Sequence, residues 1–387
     1  MHRTLVPLTV FLLVGTPRAV AQLSDETRIS LVTIEPGDEI YSLWGHSALR
    51  IYDPVLGIDI AYNYGTFDFG SPVSFVARFA YGQLDYVLSV QSYPALRSSS
   101  LNLQRRTIIE QELGLDSKQR TALYLFLSNN ALPKNRTYRY HFLFDNCSTR
   151  IRDALQITLG NAVDFSTGTV PEATFRELVN AYVSDRPTLR FFMNLAMGLS
   201  VDRPVSSHTI AFLPLELAAA VDNAHVLVDG ESQRLVVRSD TTAVPRNPSH
   251  TVPWPTIVGW LALGLGLLLT SRQRFLQSFD TVLFGVVGIA GLLIVFLWFV
   301  SLHDVTQQNL NLGWAWPTHV AVGLAFRLKR SPVWLRVYFG VTTLTALGVA
   351  LSMVVLPQSL PAPLVPLLLL IALRSGLRSL PPRTLRA

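Results

Sequence analysis

The sequence predicts an α+β domain outside the membrane, followed by a bundle of about five transmembrane helices. Two features of its 387 residues predict this division. Up to about residue 253, short aromatic-rich segments alternate in hydrophobicity or follow helical spacing, as in a globular domain large enough to have its own core. Beyond that point apolar stretches recur, and a membrane crossing needs about 20 such residues. The expected boundaries are 1–21 for a signal peptide, 22–240 for the outer domain, 241–253 for a Pro-rich linker and 254–387 for the membrane domain.

The first 21 residues have the form of a signal peptide. His2 and Arg3 precede the apolar run LVPLTVFLLVG, and Ala19–Ala21 has the small-x-small pattern that signal peptidase cleaves. The mature chain is therefore expected to begin near Gln22. This places the domain that follows on the periplasmic side of a bacterial inner membrane.

Basic residues between the apolar stretches predict the orientation of the helices. Lys and Arg accumulate on the cytoplasmic side of membrane helices. The apolar stretches lie near 254–270, 279–301, 314–328, 333–356 and 361–374. The segments after the first, third and fifth are basic, with Arg272 and Arg274, then Arg327, Lys329 and Arg330, then Arg374, Arg378, Arg383 and Arg386. The outer loops SLHDVTQQNLNLGW and LPQSLPAP contain no Lys or Arg, so five crossings with a cytoplasmic C-terminus are expected.

The basic segments that flank the helices explain most of the net charge of +6, which therefore does not indicate a nucleic-acid partner.

The outer domain begins with three predicted strands. The segment RISLVTIEPGDEIYSLWGHSALRIYD has the pattern of a strand, a Pro-Gly turn and a second strand that carries His46. Asp53–Gly57 has the composition of a turn, after which IDIAYNYG continues as a strand. A helix is then expected from Ser71, a cap residue before proline, to Gly82. Its apolar face would contain Phe75, Val76 and Phe79.

The next predicted elements lead to the single cysteine. Strands are expected at LDYVLSV and around RRTIIEQEL, then a helix from about Asp116 to Leu127. Alternating aromatic residues from Tyr138 to Phe144 predict another strand. After Cys147 the spacing becomes helical. Residues 171–222 are expected to form helical pieces broken by prolines, and VLVDGESQRLVVRSD has the pattern of a hairpin.

Cys147 is the candidate nucleophile. A helix N-terminus favours the thiolate through its unpaired N–H groups and partial positive charge, and Asp145 or Asn146 could cap this helix. An inert buried cysteine is the alternative. His46 is the candidate base because it lies on a strand beside Gly45, which permits close approach of another segment. His141 competes by proximity in sequence alone, since a strand would place it about 20 Å away at ~3.3 Å per residue.

Several other polar residues each have more than one possible role. Asp59 or Asn63 could orient His46, and Asn63 is preferred. Arg50 is a candidate for substrate binding or for a structural pair with Asp53. His303, in the loop between the second and third crossings, could contact lipid headgroups or a partner, or could belong to a solvated loop. No metal-binding motif is present, and neither a metal nor another cofactor is expected.

Three strings carry a resemblance to a known family. TIEPGDEIYSLWGHSALRIYD, AYNYGTFDFGSP and YRYHFLFDNCSTRIRDAL resemble the extracytoplasmic domain of the Lnb-type lipoprotein intramolecular transacylase family, over nearly all of residues 25–220. The resemblance implies a papain-like (NlpC-type) thiol fold in permuted order, with the histidine before the cysteine. On the matching positions His46 and Cys147 would be the catalytic pair.

The resemblance also implies an activity. Cys147 would accept an acyl chain from the diacylglyceryl group of a lipoprotein as a thioester, and the lipoprotein's N-terminal amine would then receive it. We therefore expect Cys147, His46 and Asn63 to be catalytic, and Asn146, Arg50, Phe75, Phe79 and His303 to contact the substrate. Membrane lipid and the lipoprotein would be the partners, while the sequence leaves the oligomeric state open. The alternatives are a thiol hydrolase or amidase acting on cell-wall peptide, and a non-catalytic envelope assembly protein.

Overall fold

A computed structural model describes residues 23–67, 71–165, 171–245, 251–270, 273–325 and 332–381. The expected signal peptide lies outside the described residues. Within these residues the strands are β1 Arg28–Ile34, β2 His46–Asp53, β3 Ile58–Thr66, β4 Asp85–Ser92, β5 Ile108–Leu113, β6 Thr137–Arg139, β7 Val163–Asp164, β8 His225–Val228, β9 Glu231–Arg234 and β10 Val236–Thr242. The helices are α1 Pro72–Tyr81, α2 Tyr93–Ser98, α3 Ser117–Asn130, α4 Cys147–Leu159, α5 Phe175–Ala181, α6 Pro187–Ala196, α7 Pro214–Asn223, α8 Trp254–Leu269, α9 Gln273–Phe299, α10 His319–Ala325, α11 Val333–Ser352 and α12 Leu364–Ser379. The chain thus has a mixed α and β domain first and helices after it, as expected.

An antiparallel sheet organises the first domain. Its strand order is β10-β5-β1-β2-β3-β4-β6, and β7, β8 and β9 form a smaller sheet. Side chains alternate between the two faces of β1. Ile29 and Leu31 pack in the main core with residues of α4 and α7, whereas Val32 and Ile34 pack on the other face with residues of α2. Helices therefore cover both faces of the sheet where β1 and β2 run.

Helix α1 connects β3 to β4 and has the predicted ends. The Ser71 hydroxyl accepts a hydrogen bond from the Ser74 N–H, and Pro72 occupies the first turn. Gly82 ends the helix with a φ of +82°, a left-handed conformation that favours glycine. The interpretation of this segment from sequence is confirmed.

The strand predicted from Tyr138 to Phe144 is wrong beyond its first residues. β6 ends at Arg139, and the backbones of His141 and Asp145 then pair with each other to close a tight turn. The cause is local, because Nδ1 of His141 accepts the N–H groups of Leu143 and Phe144. Those N–H groups are then not available to a neighbouring strand.

The C-terminal helices form an apolar bundle. Among the described residues, two helical segments are long and apolar enough to cross a membrane, Leu276–Phe299 within α9 and Val333–Ser352, which is α11; Trp254–Leu269 is apolar but shorter. The predicted number of five crossings therefore stays a prediction. Of the basic flanks predicted from the sequence, those at 272, 327–330, 383 and 386 lie outside the described residues, as does the side chain of Arg274.

A buried ion-pair cluster joins α9 to α12. Asp280 on α9 accepts from Arg374 at 2.7 Å and from Arg378 at 2.7 Å, and neither Asp280 nor Arg374 is exposed. Arg374, a predicted cytoplasmic flank, is a member of this cluster, and its side of the membrane stays a prediction. Burying these charges costs several kcal/mol per ion, and pairing offsets this cost, so loss of one partner would be strongly destabilising. The cluster therefore fixes the start of α9 beside the end of α12.

The loop between α9 and α10, residues 300–318, joins the two parts of the molecule, and we call it the junction loop. It meets α1 where the Leu302 N–H donates to the Tyr81 carbonyl at 2.9 Å. It meets the segment after α6 where the Gly198 N–H donates to the Val305 carbonyl, also at 2.9 Å. Asn309, fully buried, donates to the Leu195 carbonyl at 2.8 Å. The outer domain is thus hydrogen-bonded directly to the loop that follows a membrane-length helix.

Candidate functional site

The site forms where the start of β2 meets the start of α4. His46 is the first residue of β2 and lies opposite Ile34 of β1. Gly45, just before it, has a φ of +86°, and a Cβ at this position would lie 2.8 Å from the Ile34 carbonyl oxygen. Only glycine fits that conformation and that approach without strain. Gly45 therefore sets the position at which the imidazole enters the site.

Cys147 is the first residue of α4, and Asn146 caps this helix. The Asn146 Oδ1 accepts the N–H groups of Ser148 at 2.9 Å and Thr149 at 3.0 Å, while its Nδ2 donates to the carbonyls of Phe142 and Phe212. The open choice between Asp145 and Asn146 is thereby settled for Asn146. The amide uses its hydrogen-bonding capacity within the protein, and it fixes the thiol at the helix N-terminus.

The structure brings His46, Cys147 and Asn63 together. The His46 imidazole lies close enough to the Cys147 thiol to lower its pKa. Its Nε2 lies 3.2 Å from Oδ1 of Asn63, and Nδ2 of the buried Asn63 donates to the Ala61 carbonyl. Because the Asn63 amide is oriented by that second bond, its oxygen faces the imidazole and Nε2 is the donor. The other ring nitrogen, Nδ1, is then the one that faces the thiol.

Local electrostatics favour the thiolate. Burial raises the pKa of the Cys147 thiol, but the hydrogen bond and charge of His46 lower it, as do the Ser47 N–H and the Ser148 hydroxyl. The net result is a pKa below the ordinary value for cysteine. Cys147 as a residue is half-buried and packs against the main core. A partly exposed cysteine with a lowered pKa is typical of a reactive cysteine.

Three tyrosines lie close enough to the thiol for its charge to affect their pKa values. Burial and then the charge of Cys147 raise the pKa of Tyr86 to about 12, and the same two causes raise the pKa of Tyr138 and Tyr140 above the ordinary value. The rings of Tyr86 and Tyr140 are stacked with centroids 4.1 Å apart. All three therefore remain neutral phenols near neutral pH. Together they form an aromatic wall beside the sulfur.

Arg50 and its acidic neighbours form a separate network. Arg50 donates to Asp59 at 2.7 Å and to Glu110 at 2.9 Å, and its guanidinium lies over the Tyr93 ring. Asp59, the other candidate for orienting His46, is therefore paired with Arg50 instead. Asp53 does not form the expected pair with Arg50, since it accepts hydrogen bonds from Ser24 and Thr27. Contact of Arg50 with substrate stays a prediction.

His303 and Phe79 lie against each other, where α1 meets the junction loop. Nε2 of His303 is 2.6 Å from the Phe79 carbonyl, and the two rings are 5.6 Å apart. The Phe79 side chain is more than half exposed. The side chain of Phe75 lies outside the described part of the structure. His141 does not join the thiol, because its Nε2 is 2.7 Å from Asp304 of the junction loop.

Sequence reasoning missed the residues that flank the catalytic candidates. Ser47 and Ser148, each next to a member of the pair, meet through their hydroxyls at 3.2 Å. The Ser148 hydroxyl is also 3.9 Å from the sulfur. Adjacency to His46 and Cys147 was the available signal. Within the described residues, no group of three His, Cys, Asp or Glu side chains is placed to hold a metal ion.

Comparison with protein families identifies both parts of the chain. Residues 18–181 match the Lnb N-terminal periplasmic domain, and residues 247–381 match the Lnb transmembrane domain. No curated protein and no solved structure matches the chain. The two matched models, in this order along one chain, place the N-terminal domain in the periplasm and the chain in the inner membrane. The chain belongs to the Lnb family.

Proposed function

We propose that this protein is a membrane-bound acyltransferase that moves an acyl chain from the diacylglyceryl group of a lipoprotein to the N-terminal amine of the same molecule. The observation that carries this proposal is the placement of the His46 imidazole, held by Asn63, beside the half-buried Cys147, where it lowers the pKa of the thiol. Membership of the Lnb family points to lipoprotein chemistry as the use of such a thiol. Cys147, His46 and Asn63 are the proposed catalytic group.

In the first step, the Cys147 thiolate attacks the carbonyl carbon of an ester in the diacylglyceryl group. The proton of the former thiol resides on Nδ1 of His46, which passes it to the glycerol oxygen as the C–O bond breaks. A thioester on Cys147 and a free glycerol hydroxyl are the products. The Cys147 N–H, at the start of α4, is directed at the oxyanion of the tetrahedral intermediate in this proposal.

In the second step, the neutral N-terminal amine of the lipoprotein attacks the thioester carbonyl. Nδ1 of His46 accepts a proton from the attacking nitrogen, the C–S bond breaks, and an amide forms. The thiolate and imidazolium are thereby restored. Asn63 acts throughout as an acceptor for the Nε2–H, because this bond holds the ring with Nδ1 facing the sulfur.

A membrane domain suits this substrate because both reacting groups belong to a molecule anchored in the bilayer. Holding ester and amine at one thiol makes the transfer effectively intramolecular, and proximity of this kind can supply about 7–11 kcal/mol of the barrier. The junction loop contacts tie the thiol domain to the helices. We further propose a permuted papain-like fold for residues 22–240, a cleaved signal peptide over residues 1–21, a linker at 241–253, and five crossings with a cytoplasmic C-terminus in 254–387.

The test is acyl migration on a defined substrate. The purified full-length protein is incubated in vesicles with a diacylated lipopeptide, and the products are analysed by mass spectrometry. Transfer predicts an unchanged total mass, with one acyl group moved from the glyceryl group to the amine. Cys147→Ser should abolish the transfer, and a labelled acyl group should be trapped on Cys147 of the parent.

Two outcomes would overturn the proposal. Release of peptide fragments from muropeptides, with no acyl migration on the lipopeptide, would identify a cell-wall hydrolase. Full complementation of a cellular defect by Cys147→Ser would identify a non-catalytic assembly protein.

A further inference from the structure

Helix α1 exposes apolar side chains on a surface that the protein leaves uncovered. Val73 is 81% exposed and Val76 is 62% exposed, and Phe79, three residues further on, also presents more than half of its surface. Side chains three positions apart lie on neighbouring parts of one helix face. The ten residues of the helix include Arg78 but no acidic residue. This composition is typical of a helix that lies in a membrane interface.

The position of α1 relative to a membrane-length helix is fixed by hydrogen bonds. The segment Leu276–Phe299 could cross a membrane. Two residues after its end, the Ser301 hydroxyl donates to the Ala80 carbonyl at 2.8 Å, and the Leu302 N–H donates to the Tyr81 carbonyl at 2.9 Å. The last turn of α1 is therefore attached to the outer end of this helix. If this segment crosses the membrane, that end lies where the hydrocarbon region gives way to headgroups.

The chain on both sides of α1 leads directly to the thiol. Gly65 of β3, seven residues before α1, is so close that a Cβ there would lie 3.6 Å from Cβ of Cys147. Tyr86 of β4, five residues after α1, belongs to the aromatic wall beside the sulfur. The helix is thus an insertion between two strands that border the site.

We propose that α1 inserts the face carrying Val73 and Val76 into the outer leaflet of the inner membrane and forms the border along which a lipid chain reaches Cys147. The occupant of this surface is bilayer lipid. Interfacial helices bury their apolar faces about 5–10 Å into the boundary between headgroups and acyl chains. At that depth the ester carbonyls of a diacylglyceryl group lie beside the helix. The route to Cys147 rests on the proposed function, whereas the insertion of α1 does not.

The placement is tested with a fluorescent label at Val76. Val76→Cys is made in the full chain together with Cys147→Ser, labelled with an environment-sensitive fluorophore, and reconstituted in vesicles of phosphatidylglycerol and phosphatidylethanolamine. Val55→Cys is the matched control, since Val55 is 63% exposed and lies in the β2–β3 turn, at the other end of β3 from α1. Eight residue steps of about 3.3 Å separate the two ends of β3 by about 26 Å.

Lipid carrying a nitroxide on its acyl chain should quench at least half of the fluorescence of the Val76 label and leave the Val55 label nearly unchanged. Aqueous iodide should show the reverse preference. Equal quenching of both labels by the lipid nitroxide, or better access of iodide to Val76, would overturn the insertion. If Val76→Cys fails to fold, Val73→Cys replaces it with the same expectation.

A second measurement tests the route. Val76→Asp should reduce acyl transfer from a membrane-embedded lipopeptide several-fold, while alkylation of Cys147 by water-soluble iodoacetamide keeps its rate. Unchanged transfer would show that the lipid chain does not reach Cys147 along α1. The quenching result alone would then decide whether α1 inserts into the membrane. If the parent protein shows no acyl transfer, the proposed function fails, and the quenching comparison still decides where α1 lies.

Discussion

The segments around His46 and His141 both lie near the thiol, yet they use their imidazoles differently. His46 donates through Nε2 to Asn63 and presents its other nitrogen to Cys147. His141 accepts two backbone N–H groups at Nδ1 and lies 2.7 Å from Asp304 through Nε2. One ring is thus held on a single side and left open to the sulfur. The other is held on both sides and serves the turn that leads to Cys147.

This difference shows that the sheet, and not proximity in sequence, determines which histidine lies beside the thiol. His141 is six residues from Cys147 but is directed towards the junction loop. His46, about a hundred residues away, lies in the site because it is the first residue of β2, the strand on which α4 packs. Both nitrogens of His141 have structural partners other than the thiol, so neither is left to exchange a proton with Cys147, whereas His46 keeps one nitrogen for the thiol.

The largest expected effect separates the two histidines directly. His46→Ala should lower acyl transfer by about 100- to 10,000-fold, the range typical of a lost general acid and base. Without the imidazole, the effect of burial on the thiol is opposed less strongly, so the pKa of Cys147 should rise. The pH profile of iodoacetamide alkylation should then move to higher pH.

His141→Ala is the matched control for this substitution. Because its ring does not contact the sulfur, the alkylation profile of Cys147 should keep its position on the pH axis. A shift as large as that of His46→Ala would show that the two histidines are not distinguished in the way the geometry indicates. The profile is measured on folded protein in detergent, so loss of transfer activity does not obscure it.

The next effect tests how His46 is held. Asn63→Ala removes the acceptor for the Nε2–H, so the ring can rotate away from the sulfur, and transfer should fall by about 10- to 100-fold. Asn63→Asp keeps an oxygen acceptor and should restore part of the loss. Since a carboxylate would also stabilise the imidazolium, the pH profile of the Asp variant should extend to higher pH on its acid-catalysed side. Equal activity of Ala and Asp variants would assign Asn63 to packing alone.

The sequence predicted the parts of the fold that depend on local pattern. The β2–β3 hairpin, the ends of α1 and the helix start at Cys147 follow from alternation, a Ser-Pro cap and a change of period. The pairing of His46 with Cys147 also followed from residue type, since few other histidines remained as candidates. In each case the signal lies within a few neighbouring residues.

The parts of the fold and of the site that the sequence did not predict depend on contacts between distant segments. The alternation of aromatic residues from Tyr138 to Phe144 is typical of a strand. The chain forms a turn there instead, because the His141 side chain accepts two backbone N–H groups. The choice of Asn63 over Asp59 was decided by Arg50, which pairs with Asp59 across the hairpin. The partner of Asp304 could not be read from the sequence, since 163 residues separate it from His141.

A smaller effect is expected at the junction. Asp304→Asn weakens the bond to His141 and should cost about 1 kcal/mol, as for one partly exposed hydrogen bond. Burial raises the pKa of Asp304, but His141 and Arg203 lower it further, so the folded pKa lies below its ordinary value. The stabilisation is therefore present above the unfolded pKa and is lost as the pH falls through the folded pKa.

The measurement is thermal unfolding of the detergent-solubilised protein at neutral and acid pH. At neutral pH the parent should unfold at a higher temperature than Asp304→Asn. This difference in unfolding temperature should become smaller as the pH falls. Asp240→Asn is the control, because Asp240 pairs with Arg238 on an exposed strand with both side chains largely in solvent, where an ion pair contributes little. A constant difference across the pH range would show that Asp304 carries no pH-linked stability.

The smallest effect concerns the two serines that meet beside the site. Ser148→Ala removes a hydroxyl that helps to lower the pKa of the Cys147 thiol, so the alkylation profile should move to higher pH by less than it does for His46→Ala. Ser47 acts on the sulfur through its backbone N–H, which alanine retains. Ser47→Ala should therefore lose the contact between the two hydroxyls and yet leave the profile in place. If both variants move the profile equally, the two serines act on the thiol through their shared hydroxyl contact, and the separate role of the Ser47 N–H is wrong.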